Sequence, residues 1–217
     1  MQTLIDNFGL IWDGFLATLT VAAIAGAFAL VWGAVLAAFR VSPVGPLRTF
    51  GTLYVEIVRN TPLTLMFFFL IFVIPSFGIV FPELGLWPSA VALGLYTSSF
   101  VCESLRSGIN SVGLGQAEAA RSIGFTFSQT LGNIVLPQAW RTAIPPLISV
   151  LIALTKNTSV AAGFAYTELT ATSQKLINAF PADGLFTFFG IGLFYLAITV
   201  PLGILAGQIE KRVVFAR

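Results

Sequence analysis

Residues 113–137, GLGQAEAARSIGFTFSQTLGNIVLP, form the longest polar, small-residue interruption between apolar segments of the chain. Glu118 and Arg121 carry its only formal charges. The run AEAAR, residues 117–121, is rich in helix formers, and Gly124 stands where a helix would close on a left-handed residue. Glu118 near the helix start and Arg121 near its end suit the helix dipole. The pattern predicts a short exposed helix over residues 115–123, with glycines on both sides, between two membrane-embedded segments. Such a knob suits insertion into a groove on a partner.

Composition supports the membrane setting. Of 217 residues, 57% are hydrophobic and 9% are charged, against about one quarter charged in a soluble domain. The chain is read as an integral membrane protein. It has no histidine and one cysteine, Cys102, which excludes a disulfide framework and a His/Cys zinc site. No Lys/Arg-rich run points to nucleic acid. The first residues, MQTLIDNFGLIWDG, lack the basic start of a signal peptide, and the apolar run after them is too long for one. That run is expected to remain as a first span.

Working outward, uncharged residues 14–39 exceed the ~20 residues a span needs. Gly26 and Gly33 in this segment would permit close helix contact. Pro43, Gly45 and Pro46 predict a turn. A second span is expected over 52–75, polar on one side in its first half and bent at Pro62, which lacks an amide donor. A third is expected over 89–109, with an unusually polar middle at Tyr96-Thr97-Ser98-Ser99. The fourth is placed at 139–158, with Pro137, Pro145 and Pro146 crowding its start. Residues 159–180 read as neither span nor simple loop, and a partial dip into the membrane under protein cover is one reading of them. Uncharged residues 184–209 make the fifth span.

Five spans put the termini on opposite sides. Arg40, Arg48, Arg106, Arg121, Lys211, Arg212 and Arg217 share one side. Asp6, Asp13, Glu83, Asp183 and Lys175 share the other. The positive-inside rule then places the N-terminus outside, with the C-terminus and the 115–123 helix in the cytoplasm.

Charges at membrane depth cost at least ~2.5–3.5 kcal/mol and normally face a cavity or a partner. They are Glu56, Arg59, Glu103, Arg106, Arg141, Lys156 and Glu168. The spacing of Glu56 with Arg59, and of Glu103 with Arg106, puts each pair on one helix face, so each pair either neutralises itself or serves a pathway. Lys156 has no acidic neighbour at helical spacing. It either snorkels to the outer interface or lines a substrate path. Broken helices favour a path, because irregular backbone at membrane depth usually lines a cavity. Thr61-Pro62 and Thr158-Ser159 are places where hydroxyls meet such breaks beside a cation.

The sequence resembles the permease subunits of ABC importers. Glu118-Ala119-Ala120, Gly124, Ile134 and Leu136-Pro137 match the EAA loop of that family, flanked by Gln116 and Gln138. Arg59-Asn60-Thr61-Pro62-Leu63, residues 103–109 (ESLRSGI) and Lys156-Asn157-Thr158-Ser159 follow in the order seen in permeases for polar amino acids. Actinobacterial glutamate permeases look most similar, through NTPLTL, ESLRSGIN and IALTKNTS. The resemblance implies an all-α type I importer permease fold in a bacterial cell membrane: five transmembrane helices and a cytoplasmic coupling helix. It implies ATPase contacts at Gly115, Gln116, Glu118, Ala119, Ala120, Arg121, Gly124 and Pro137. The residues expected along a substrate path are Arg59, Thr61, Thr97, Ser98, Glu103, Lys156, Asn157, Thr158 and Ser159. Asn157 departs from the pattern, because many relatives carry an acidic residue there. Asn suits glutamate and also a neutral substrate such as glutamine.

The partners implied are two copies of an ATPase, a second permease chain (identical or related), an extracytoplasmic amino acid-binding protein and the bilayer. No Gly-x-x-x-x-Gly-Lys-[Ser/Thr] loop is present, so ATP and Mg belong to the ATPase and no cofactor is expected here. The competing reading is an ion-gradient-driven carrier or channel, which would need intramembrane carboxylates. Glu56 and Glu103 are available, both beside arginines. A membrane enzyme finds no support, since there is no histidine for acid–base work and no HExxH or GxSxG motif.

Overall fold

The structure, a computed structural model, describes residues 2–214, with side chains through Lys211. Of the tail cations assigned above, Arg217 and the side chain of Arg212 lie outside the described residues. Every regular element among the described residues is helical.

A short α1 (Gln2–Asp6) precedes the long α2 (Phe8–Val41). The Thr3 hydroxyl donates to the Asp183 carboxylate at 2.6 Å and ties the start of the chain to the base of the last helix. α2 extends beyond the expected 14–39 at both ends, taking in Asp13 and Arg40. Charges mark where a helix leaves hydrocarbon, not where it stops. The stop comes from Pro43, which keeps Ser42 extended at ψ 141°.

α3 (Gly45–Asn60) opens with Pro46 in its first turn, where the missing amide costs nothing. The expected span 52–75 is not one helix. Thr61 is extended at ψ 128° ahead of Pro62, and α4 (Leu63–Phe68) starts afresh, running through a π turn and a 3-10 turn to Phe77. The two arms meet at 103°. Pro62 both forbids an α conformation at Thr61 and withholds a donor, so the expected bend is an elbow.

α5 (Leu86–Asn110) packs along both α2 and α8 and is the most enclosed long helix. Its polar middle is buried, with Thr97 3%, Ser98 0% and Ser99 0% exposed. Ser98 and Ser99 bond back to the Leu95 and Tyr96 carbonyls at 2.7 and 2.6 Å. Two hydroxyls of the polar stripe are thus met inside the helix itself.

After α6 (Leu114–Ser122), a capping box at Thr126 and Gln129 starts α7 (Phe127–Thr130). A π turn over Leu131–Val135 leads without a break into α8 (Leu136–Asn157). The helix therefore begins well before the expected residue 139. The π turn explains how it passes Pro137: the Leu136 amide reaches back to the Leu131 carbonyl, and the next residue needs no partner for an amide it lacks. Pro145 and Pro146 lie inside α8, not at its start.

A 3-10 turn (Thr158–Gly163) and α9 (Leu169–Ala179) occupy the segment read as neither span nor loop. α9 packs on α2 and α10 (Gly184–Val214). Among the described residues, 8–41, 127–163 and 181–211 are long and apolar enough to cross a membrane, and the elbowed pair makes a fourth if counted as one crossing. The five spans expected are thus three to four by length and apolarity. α5 falls short because its polar stripe lowers its apolarity, and that stripe is buried.

Candidate coupling surface and substrate pathway

α6 stands out from the helix bundle. Ala120 is its one buried residue, while Leu114, Glu118, Arg121 and Ser122 are exposed. Leu114 is 80% exposed, and Ile123 just past its end is 76% exposed. Gly124 closes the helix at φ 96°. There the Phe125 amide donates to the Ala120 carbonyl and the Gly124 amide to that of Arg121, both at 3.0 Å. This paired return fixes where the helix ends. A side-chain bond fixes where it sits: the Gln138 amide donates to the Gln116 side-chain oxygen at 2.6 Å, linking α6 to α8. Pro137 lies beside that link, and Gly115 and Ala119 are exposed with Glu118.

The residues expected along a substrate path separate into three groups, with Lys156 apart from all of them. Thr97 and Asn157 come together in a cavity of about 330 Å³ between α5 and α8, with Tyr96, Phe100 and Ser149 also on its wall. Its lining carries no formal charge. Thr61, Thr158, Ser159 and Ser98 form the second group. Their hydroxyls return to carbonyls of their own helices, at Ile57, Thr155, Lys156 and Leu95. Thr61 faces an apolar groove in the elbow with Leu65 and Phe69. Lys156 is exposed, and its ammonium has no partner among the described residues.

Glu103 and Arg59 form the third group, and they join each other. The Glu103 carboxylate is paired with Arg40, with Arg106 Nη2 at 2.9 Å and with Arg59 Nη1 at 3.7 Å. Arg59 also stands 5.3 Å over the Phe100 ring, which lines the cavity. Glu56 is exposed and makes no ion pair with Arg59. The expectation that Glu56 and Arg59 neutralise each other is corrected: Arg59 turns to Glu103 on the neighbouring helix.

Residues 29–215 match the family described as binding-protein-dependent transport system inner membrane component. The chain belongs to this family. Probable glutamine ABC transporter permease protein GlnM of Bacillus subtilis is 40% identical over 212 residues, covering 98% of this chain and 97% of that one. Glutamate transport system permease protein GluC of Corynebacterium glutamicum is 43% identical over 85% of each chain. In the solved structures, a chain of an amino acid ABC transporter crystallised with histidines superposes with a TM-score of 0.89 at 25% identity, covering 97% of both chains. The fold is that of an ABC importer permease, and the subunit is a non-catalytic membrane component.

Two features of the permease had no advance signal. Arg40 was grouped with loop cations, yet its side chain is 12% exposed and bonds Glu103 from 63 residues away. Glu168, read as a charge at membrane depth, is fully buried as the N-cap of α9. It accepts from the Ala171 amide at 2.9 Å and from the Tyr195 hydroxyl. A glutamate is not a favoured N-cap type, so the sequence concealed this role.

Proposed function

We propose that this permease imports a polar amino acid, with glutamate the first choice, along a path it forms with a second permease chain. A pair of ATPase copies, binding ATP and Mg, seats on α6, and an extracytoplasmic binding protein delivers the substrate. The observation that carries this reading is α6 itself. It is an exposed helix with a fixed end, tied by one side-chain bond to α8, and α8 runs on to Asn157 at the cavity wall. A push on α6 therefore has a continuous helical route to the cavity.

Relatives named for glutamate and for glutamine support the substrate class. The uncharged lining of the cavity suits both, and Arg59 behind Phe100 favours the anion. No carboxylate on the lining would favour a cationic amino acid. The test is uptake by the reconstituted complex with competing glutamate, aspartate, glutamine and arginine. Glutamate should compete best and arginine least, and Asn157→Asp should weaken glutamate selectively. Best competition by glutamine would move the assignment to the neutral amide. In the same vesicles, Glu118→Lys should leave ATP hydrolysis running while uptake falls at least ~10-fold, the cost of reversing a charge at a contact worth about 1.4 kcal/mol. Uptake at the wild-type rate would remove Glu118 from coupling.

The proposed topology has five crossings, with the elbowed α3–α4 pair as one and α5 as another. At 25 residues, α5 is long enough at 1.5 Å per residue to cross ~30 Å of hydrocarbon. The N-terminus is then outside and α6 is in the cytoplasm. A cysteine introduced by Ser122→Cys should react with a membrane-impermeant thiol reagent only after cells are opened. Labelling in intact cells would invert the topology.

A further inference from the structure

Two cavities meet on the face where α2, α5 and α8 approach α6. The first, about 430 Å³, is a trough with Ala34, Ala37 and Ala38 of α2 on its lining, opposite Leu105 and Trp140. The second, about 470 Å³, lies under α6 and is lined in part by Asn110, Ala117, Arg121 and Thr130. Val41, Ile109 and Leu131 line both, so the two form one groove.

Chemistry changes along this groove. The trough is apolar, and its alanines leave room where larger side chains would fill it. At the far end Arg121, expected above as an ATPase contact, instead lines the cavity under α6 with Leu114 and Ala117, whereas Glu118 does not, and its guanidinium makes no ion pair among the described residues. Thr130 is 4% exposed, and its buried hydroxyl has no hydrogen-bond partner among the described residues. A buried hydroxyl left unmet costs about 1–3 kcal/mol, so it is a group that a ligand would satisfy. Ala34 to Val41 runs roughly 10 Å along α2, most of the ~15 Å of hydrocarbon in one leaflet. Trp140, 57% exposed, stands at the rim, in the manner of indoles at a membrane interface.

We propose that this groove holds an acidic phospholipid, with an acyl chain in the trough and the phosphate at Arg121 and Thr130. The lipid then sits between the bundle and α6, and membrane composition biases how α6 is presented. That consequence rests on the coupling role proposed for α6, whereas the binding does not. A free amino acid is a poor occupant, because the trough offers it no polar partner.

The experiment uses the whole transporter complex, reconstituted in phosphatidylcholine with and without phosphatidylglycerol and read by native mass spectrometry. Wild type should retain phosphatidylglycerol selectively. Arg121→Gln should lower its preference over phosphatidylcholine roughly fivefold, the effect of one cation near an anionic headgroup. Ala38→Phe fills the trough from an exposed position and should abolish retention. Ala34→Phe, also exposed, serves if the first variant fails to assemble. Equal retention by wild type and the trough variants would overturn the proposal. Displacement of the lipid by soluble glycerol phosphate, or cross-linking of Ala38→Cys to the second permease chain, would overturn it too. Selective retention alongside wild-type uptake in Glu118→Lys would leave the lipid site standing and remove only Glu118 from coupling.

Discussion

Gly33→Leu is expected to deplete the membrane of folded permease. α2 and α5 share the most extensive helix contact among the described residues, and Gly33 faces α5 with no room for a side chain. A Cβ at Gly33 would lie 2.6 Å from the Val101 side chain and 2.8 Å from the Ser98 carbonyl oxygen. Val101 is fully buried, and a backbone carbonyl cannot turn away. The helices would have to separate along their length. Overpacking of this kind costs typically about 1–3 kcal/mol and sometimes more, against a total stability of about 5–15 kcal/mol. Helix association in a membrane depends on close van der Waals packing, so the loss has no hydrophobic term to offset it. Gly26 makes the control. It lies one heptad earlier, but its nearest neighbours are the Leu154 and Leu151 methyls at 3.4 and 3.7 Å. Those are the ends of flexible side chains. Gly26→Ala should therefore melt close to wild type, and Gly33→Ala should melt several degrees lower with reduced abundance. Equal melting of the two alanine variants, followed by size-exclusion of the tagged complex, would remove the close contact from the account.

The exposed helix α6 was legible because its determinants are local. Helix formers at 117–121 and a glycine at 124 act within two turns, and the helix and its left-handed closing residue lie within one residue of the expected bounds. The elbow at Pro62 was half legible. A proline announces a break, but the angle of 103° depends on where α4 finds a surface, which is a tertiary matter. The hydroxyls of Thr61, Thr158 and Ser159 show the same limit. The residue type announces a donor, and only the folded backbone shows that carbonyls one turn back have taken it. Glycines were readable as a class and not one by one, since Gly26 and Gly33 look alike until the facing atoms are known. Arg40 was the least readable, because nothing in a sequence relates a residue at the end of one helix to a carboxylate three helices later.

Glu103→Gln is expected to cost more than the loss of any one arginine around it. One carboxylate serves three guanidinium groups at the junction of α2, α3 and α5. Arg40 is the most enclosed, at 12% exposure, and Glu103 is at 23%. Removing the carboxylate leaves three like charges together, with Arg40 having little access to water. Breaking a buried pair from one side costs about 3–5 kcal/mol, and the partial exposure of Glu103 argues for about 3 kcal/mol. Arg40→Gln should cost less, because Arg106 still holds the carboxylate through Nη2 at 2.9 Å and Nε at 3.3 Å. The double variant Arg40→Gln with Glu103→Gln should regain part of the stability lost in Glu103→Gln alone. Non-additivity of that sign is what a charge-paired contact requires, and additive losses in thermal melting would refute it. Arg59 is the loosest member, at 3.7 Å and 44% exposed, and exposed pairs are worth at most about 1 kcal/mol. Arg59→Gln should thus barely change abundance. Because Arg59 also stands over Phe100 on the cavity wall, it is the one guanidinium of the three that can turn to a substrate carboxylate at little structural cost. Its removal should lower uptake per molecule and leave the melting temperature near wild type. The reverse pattern, lost abundance with normal uptake by the surviving molecules, would make Arg59 a structural residue.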